Sequence, residues 1–317
     1  MRTPTPWVLP SQPATREDLI ASGVSPRMIR TRLASGDLVQ ARRGVYVRAS
    51  DWPDGPAARH LVRARAEQAA HPEAVISHES AALAWGLPTP GFASWEDSAV
   101  AVTLPAGRTM RPTDVTHHTG PLPPSQVLRH PDGYRVTSPA RTAVDLAADL
   151  PLPEALVLLD GAARIIIASL VGDRVRRADY ANPRLVRAVD DLLLDAAATI
   201  HAQRLRRPIR LVVPGRESGA ESLSSGHMVL AGLSTPLFQA VIRTPHGVVY
   251  PDFYWPDRNL IGEVDGAVKY RDAMGYVLEK EREQLLRDLG YRIVRWLAKE
   301  IMLTPHEVMG RIGRALG

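Results

Sequence analysis

Apolar positions along this chain follow three different rhythms. Between Thr15 and Arg48 they are sparse: Ile29 and Leu33 stand four apart, as on one helix face, and Leu38-Val39 and Val45-Tyr46-Val47 are short β-rich runs. From 57 to 205 helical periodicity dominates, in "ALVLLDGAARIIIASL" and "RLVRAVDDLLLDAAATI", with strand-like "SAVAVTLP" and "DVTHHTG" between helices and "PAGR" as a turn segment. From Pro214 onward, strand-length runs ("FQAVIRT", "GVVYPDFYW", "NLIGEVDG", "YRIVRWL") sit among helical segments ("AESLSSGHMVLAGL", "YVLEKEREQLLRDLG"). The pattern predicts an α/β chain, α+β overall, in three parts: 1–50, 51–205 and 206–317.

Local signals sharpen the first part. Thr15 with Asp18 three residues on forms a capping-box-like start, and Ser25 followed by Pro26 opens a second helix that Gly36 stops. The two short runs then flank the basic turn "QARRG". Helix, tight turn, helix and basic hairpin is the order of a winged helix-turn-helix. A further core helix upstream has to be short or distorted, because Pro4, Pro6, Pro10 and Pro13 interrupt that stretch. The second helix then enters the major groove with Arg27, Arg30 and Thr31, and the wing brings Arg42 and Arg43 to phosphates.

Charge strengthens this picture. The net charge is +5, and the first fifty residues hold eight arginines against Glu17, Asp18 and Asp37, so the whole excess lies there. Such a concentration is the footprint expected for a polyanion partner, with double-stranded DNA the one that the winged-helix order favours; a solvated basic surface is the alternative. There are no cysteines, hence no disulfide or thiolate metal site. The N-terminus has no apolar signal-peptide region, and Asp160 and Arg164 interrupt the most apolar helix, so a cytoplasmic protein without a membrane span is expected. His117-His118, His78 and Glu79 invite a metal reading, but adjacent histidines on a strand point to opposite faces.

The third part carries candidate chemistry. In "VYPDFYWPDRNLIGEVDGAVKY", Asp252, Glu263 and Asp265 lie in or beside strand-like sequence that disfavours acids. Glu263 and Asp265 share a face by strand parity, and Asp252 lies on the preceding strand, across a short turn. Glu221 opens the helix before them. Converging carboxylates suit Mg²⁺ or Mn²⁺, which activates water for phosphodiester hydrolysis; polar residues on a wet sheet face are the alternative.

Two resemblances bear on these residues. The stretch "GVSPRMIRTRLASGDLVQARRGVYV" resembles the winged helix of AbiEi-type antitoxins, and "SPARTAVDLA" is similar to the segment that follows it in that family. This implies a DNA-binding autorepressor with a cognate toxin as a possible partner. The last part, "DFYWPDRNLIGEVDG" followed by "LEKEREQLLRDLGYRIVRW", resembles the PD-(D/E)xK nucleases, in the branch related to very-short-patch-repair endonucleases. That resemblance implies metal binding by Asp252, Glu263 and the Val264 carbonyl, with Glu221 as the helix acid. Where the family has its lysine this chain has Asp265, so Lys269 or Lys280 has to supply the positive group, or Asp265 is an added ligand, or activity is lost. Two functions stand: a metal-dependent DNA endonuclease, and an AbiEi-like repressor whose nuclease-like fold is not catalytic.

Overall fold

The computed structural model describes residues 12–107, 114–266 and 273–317, the side chains of the last segment from Lys280 onward. Two compact units emerge: Met1–Leu87 with Ala93–Asp145, and Pro88–Phe92 with Leu146–Gly317. They divide the chain at 145/146, whereas the sequence pattern draws boundaries at 50 and 205.

The first unit opens with β1 (Ala14–Thr15), α1 (Arg16–Ala21), α2 (Pro26–Ala34), β2 (Leu38–Arg42) and β3 (Val45–Arg48). The cap signals operate as written. Thr15 Oγ1 accepts from the Asp18 N–H at 3.0 Å while Asp18 accepts from the Thr15 N–H at 3.0 Å, and Ser25 Oγ accepts from the Met28 N–H at 3.2 Å. Such a cap contributes about 1 kcal/mol. The sheet order is β1-β3-β2. Leu19, Val24, Ile29 and Leu38 form the core beneath α1 and α2. A helix from downstream covers the other side of the wing: Ala66 of α3 (Pro56–Ala70) packs with Ala41, Val45 and Val47. The prolines at positions 4, 6 and 10 lie outside the described residues.

The rest of this unit is a five-stranded sheet in the order β6-β5-β4-β8-β7. It contains β4 (Val75–Ile76), α4 (His78–Trp85), β5 (Val100–Leu104), β6 (Val115–Thr119), β7 (Val127–Arg129), β8 (Arg135–Thr137) and α5 (Pro139–Ala147). β5 and β6 pair in parallel, and Ala106 and Gly107 turn just after β5; Arg108 of the predicted turn lies outside the described residues.

In the second unit, α6 (Leu152–Val171), α7 (Pro183–Thr199) and α8 (Arg206–Ile209) precede α9 (Gly219–Leu230). α6 and α9 approach so closely that a Cβ at Gly226 would collide with the Pro153 backbone. Asp160, buried in α6, ties this contact together. It accepts from the Val213 N–H at 2.8 Å, from Arg216 at 2.7 Å and from Ser222 Oγ at 2.7 Å. Its carboxylate is therefore the polar hub of a packed helix pair. No helix among the described residues is long and apolar enough to cross a membrane.

A four-stranded sheet follows, ordered β14-β13-β12-β9, from β9 (Leu237–Phe238), β12 (Phe253–Trp255), β13 (Leu260–Asp265) and β14 (Arg292–Leu297). Two predicted strands are each split. "FQAVIRT" breaks at Gln239, where φ is +52°, giving β9 and β10 (Ile242–Thr244). "GVVYPDFYW" breaks around Pro251, which offers no ladder N–H, giving β11 (Gly247–Val249) and β12. β10 and β11 form a separate hairpin. β13 and β14 run parallel and need a crossover, which α10 (Ala273–Asp288) supplies. One sheet face, with Phe253, Trp255, Leu260, Val264 and Trp296, packs with α9, α11 (Ala298–Leu303) and α12 (Pro305–Leu316). A Cβ at Gly262 would stand 2.9 Å from the Trp296 ring and 3.1 Å from that of Trp255, so only glycine fits there unstrained.

Candidate functional site

α2 is mostly exposed; Ile29 alone is buried and Leu33 half-buried. At 100° per residue, Arg27 and Thr31 fall opposite that apolar pair and Arg30 on its flank, and all three are exposed. Neither guanidinium has an internal partner among the described residues, whereas Arg32, on another face, pairs with Asp37 at 2.6 Å. This is a projecting helix with uncommitted cationic side chains, in the position from which a winged helix reads a groove.

The two wing arginines behave differently. Arg43 is exposed. Arg42 turns back: its Nε lies 2.8 Å from Glu67 Oε2 of α3, a carboxylate only 1% exposed. Glu67 Oε1 also meets His117 Nε2 at 3.2 Å and His71 Nε2 at 3.4 Å. Sequence reasoning missed Glu67. The available signal was an acid on the apolar stripe of α3, two positions from the Ala69-Ala70 contact with the wing. His118 goes to different company and stacks on His78 with ring centroids 3.4 Å apart. Burial, then the charges of His118 and Arg141, push the His78 imidazole down to about 3.

In the second unit the acids are placed by the hairpin and by α9. Asp252 precedes β12 and its Oδ2 accepts the Val264 N–H at 2.8 Å, latching the two strands. Glu221 is held inside the first turn of α9, accepting from Ser218 Oγ at 2.8 Å and from the Glu217 N–H at 3.0 Å. Burial, followed by the charge of Asp252, raises its carboxyl to about 7. Glu221 and Asp252 are thus electrostatic neighbours. Glu263 and Asp265 are both buried on β13, but each meets an arginine that the sequence reading did not single out. Arg282 of α10 donates to Glu263 at 2.8 Å, and Arg295 of β14 reaches Asp265 at 3.3 Å. Arg295 is the ladder partner of Glu263, so parallel pairing puts it on the acids' own face. Lys280 lies 3.6 Å from Glu283, and Lys269 lies outside the described residues.

The oxygen donors suit a hard cation. Yet among the described residues no three His, Asp or Glu side chains gather closely enough to hold one. Of the expected set of Asp252, Glu263 and the Val264 carbonyl, Asp252 accepts a backbone N–H and Glu263 a guanidinium N–H, each with oxygen lone pairs to spare.

Comparison with known proteins bears on the first region. Residues 11–49 match the family described as "Transcriptional regulator, AbiEi antitoxin". That match spans the winged helix, so the chain has a DNA-binding regulator domain of this kind at its N-terminal end. Over nearly its whole length the chain is similar to two uncharacterized proteins of Mycobacterium tuberculosis, MT2308 of strain CDC 1551 / Oshkosh and Rv2248 of strain H37Rv. Each is 27% identical over 301 residues, covering 92% of this chain and 96% of the relative.

Proposed function

We propose that the protein is a DNA-binding regulator that docks α2 in the major groove of its target duplex, with Arg27, Arg30 and Thr31 at the groove and Arg43 on the flanking backbone. The single observation that carries this is the exposed, uncommitted cationic face of α2, within a domain that matches transcriptional regulators. Arg42 supports the wing from behind through Glu67. A toxin partner is part of the same reading, by the family's description alone. The test is duplex binding by fluorescence anisotropy across a salt series. Arg30→Ala is expected to weaken binding, and Asp252→Ala to leave it intact; unchanged affinity in Arg27→Ala and Arg30→Ala together sinks the assignment.

A second reading keeps DNA cleavage by the C-terminal sheet, with Asp252, Glu263 and the Val264 carbonyl on Mg²⁺ or Mn²⁺, and Glu221, Asp265 and Lys269 in support. One feature favours it: burial first, and then the charge of Asp252, raises the Glu221 carboxyl, and a bound cation would relieve both effects. Arg282 has to release Glu263 for the set to form. Plasmid incubated with Mg²⁺ and either wild type or Asp252→Ala decides it; cleavage that is absent, or equal in both, removes this reading.

A further inference from the structure

A cavity of about 620 Å³ opens in the first unit behind the wing. Its floor is one stripe of α3, namely Pro56, Arg59, His60, Arg63 and Glu67, and its other walls come from Arg42 and Arg43 of the wing, Glu96, the stretch 98–100, and Asp114 and Val115. Four guanidiniums therefore face one space. Arg42 is neutralised by Glu67 at 2.8 Å. Arg43, Arg59 and Arg63 have no carboxylate within ion-pair distance among the described residues. Arg59 Nε is occupied by the Pro53 carbonyl at 2.7 Å, which fixes the side chain and leaves its two terminal nitrogens. Arg63 lies against the Trp52 ring, 5.8 Å from its centroid, which holds that guanidinium in place.

The acids in the cavity are already engaged or marginal. Glu67 is shared by Arg42, His71 and His117. Glu96 accepts from Ser94 Oγ at 2.5 Å, and Asp114 is exposed. His60 is no free cation either, since its Nε2 lies 2.7 Å from Ser80 Oγ in the interior. The cavity also lies beside the N-terminal turn of α3, a fifteen-residue helix with no side-chain cap at Gly55. The positive end of its dipole adds to the three guanidiniums.

We propose that this cavity binds a phosphate group on Arg43, Arg59 and Arg63. Planar guanidiniums match phosphate oxygens bidentately, which makes phosphate the anion of choice over a smaller, less charged carboxylate. The phosphate belongs either to a free phosphorylated small molecule or to a nucleic-acid backbone. In the first case the ligand also contacts the Arg42–Glu67 link, so occupancy changes how the wing is held and with it the affinity for DNA.

The test uses the full chain, with pyrophosphate as probe and sodium chloride at matched ionic strength as control. Isothermal titration calorimetry is expected to show saturable binding, weakened at least about tenfold in Arg59→Ala/Arg63→Ala and left unchanged in Arg27→Ala, which lies on α2 away from the cavity. Because Arg59 and Arg63 have internal contacts, Arg43→Ala, whose exposed side chain has no hydrogen bond or ion pair among the described residues, provides a second variant that leaves the fold intact. A parallel arm measures the salt dependence of duplex binding. If the double variant lowers its slope by about one to two, the phosphate is that of DNA; if the slope holds while pyrophosphate binding is lost, the ligand is a free one. The proposal is overturned if pyrophosphate up to about 10 mM gives no saturable heat and the slope is also unchanged. It is equally overturned if Arg27→Ala weakens pyrophosphate binding as much as Arg43→Ala does. Since the pyrophosphate arm contains no DNA, its failure is distinct from failure of the regulator reading.

Discussion

The α2 face and the β13 acids are both clusters of charge, and the structure treats them in opposite ways. Arg27 and Arg30 project into solvent with no carboxylate among the described residues to answer them, on a helix that buries Ile29 alone. Glu263 and Asp265 are withdrawn from solvent and matched by Arg282 and Arg295. Charge that the fold leaves unanswered is available to an external ligand. Charge that the fold has answered is committed to holding elements together, and a ligand must first displace its partner. The difference is why the proposed DNA-binding role rests on α2, and why the acids lend weaker support to cleavage.

Substitutions can break this contrast, beginning with the committed charges. Asp160→Ala strips Arg216, the Val213 N–H and Ser222 of a shared acceptor where both partners of the ion pair are 3% exposed or less. The second unit is expected to lose about 3–5 kcal/mol, measured by urea unfolding, since a buried cation is left unanswered. A loss below about 1 kcal/mol would mean that internal pairing matters less than argued here.

The uncommitted charges should show the reverse profile. Arg27→Ala with Arg30→Ala is expected to lower duplex affinity by roughly tenfold or more, through contacts of about 1–3 kcal/mol each, while stability changes by less than about 0.5 kcal/mol. Anisotropy and a thermal melt on the same sample separate the two effects.

Two buried groups, one in each unit, should answer pH with opposite sign. Glu221 is raised to about 7, so between its unfolded value near 4.5 and 7 the folded protein holds a proton that the unfolded chain has released. Stability from this group is present at low pH and falls as pH rises, by on the order of 2–3 kcal/mol. Glu221→Gln should flatten that fall. His78 works the other way: pushed down to about 3, it stays neutral in the fold, so its contribution is present above about 6.5 and is lost on acidification. Melting curves from pH 5 to 8 on wild type and Glu221→Gln check both signs; a melt that rises with pH more steeply in wild type than in the variant contradicts the assignment.

The smallest effect lies within the wing itself. Arg43→Ala should weaken DNA binding more than Arg42→Ala on a per-charge basis, about one unit of salt slope against a fraction of one, because Glu67 already neutralises Arg42. Equal slopes would show that the Arg42–Glu67 pair opens on DNA.

Much of the first region is written in local sequence. A capping box at Thr15 and Asp18, Pro26 after Ser25 and a glycine at position 36 act within a few residues of themselves, so the helices and the exposed face of α2 follow from spacing alone. The alternation of strands and helices after Pro214, and the shared face of Glu263 and Asp265, are local for the same reason. What the sequence could not supply is any partner fixed by long-range packing. Arg42 looks like a phosphate ligand until α3 brings Glu67 beneath it, and Asp160 looks like an interruption in an apolar helix until Arg216 and Ser222 arrive from more than fifty residues away. Arg295 becomes the neighbour of Glu263 only because β14 pairs with β13 in parallel, in a register that also lays the Trp296 ring against Gly262. Period and capping place a side chain on a face; whether its charge is free or answered depends on which distant element packs against that face, and tertiary structure alone decides that.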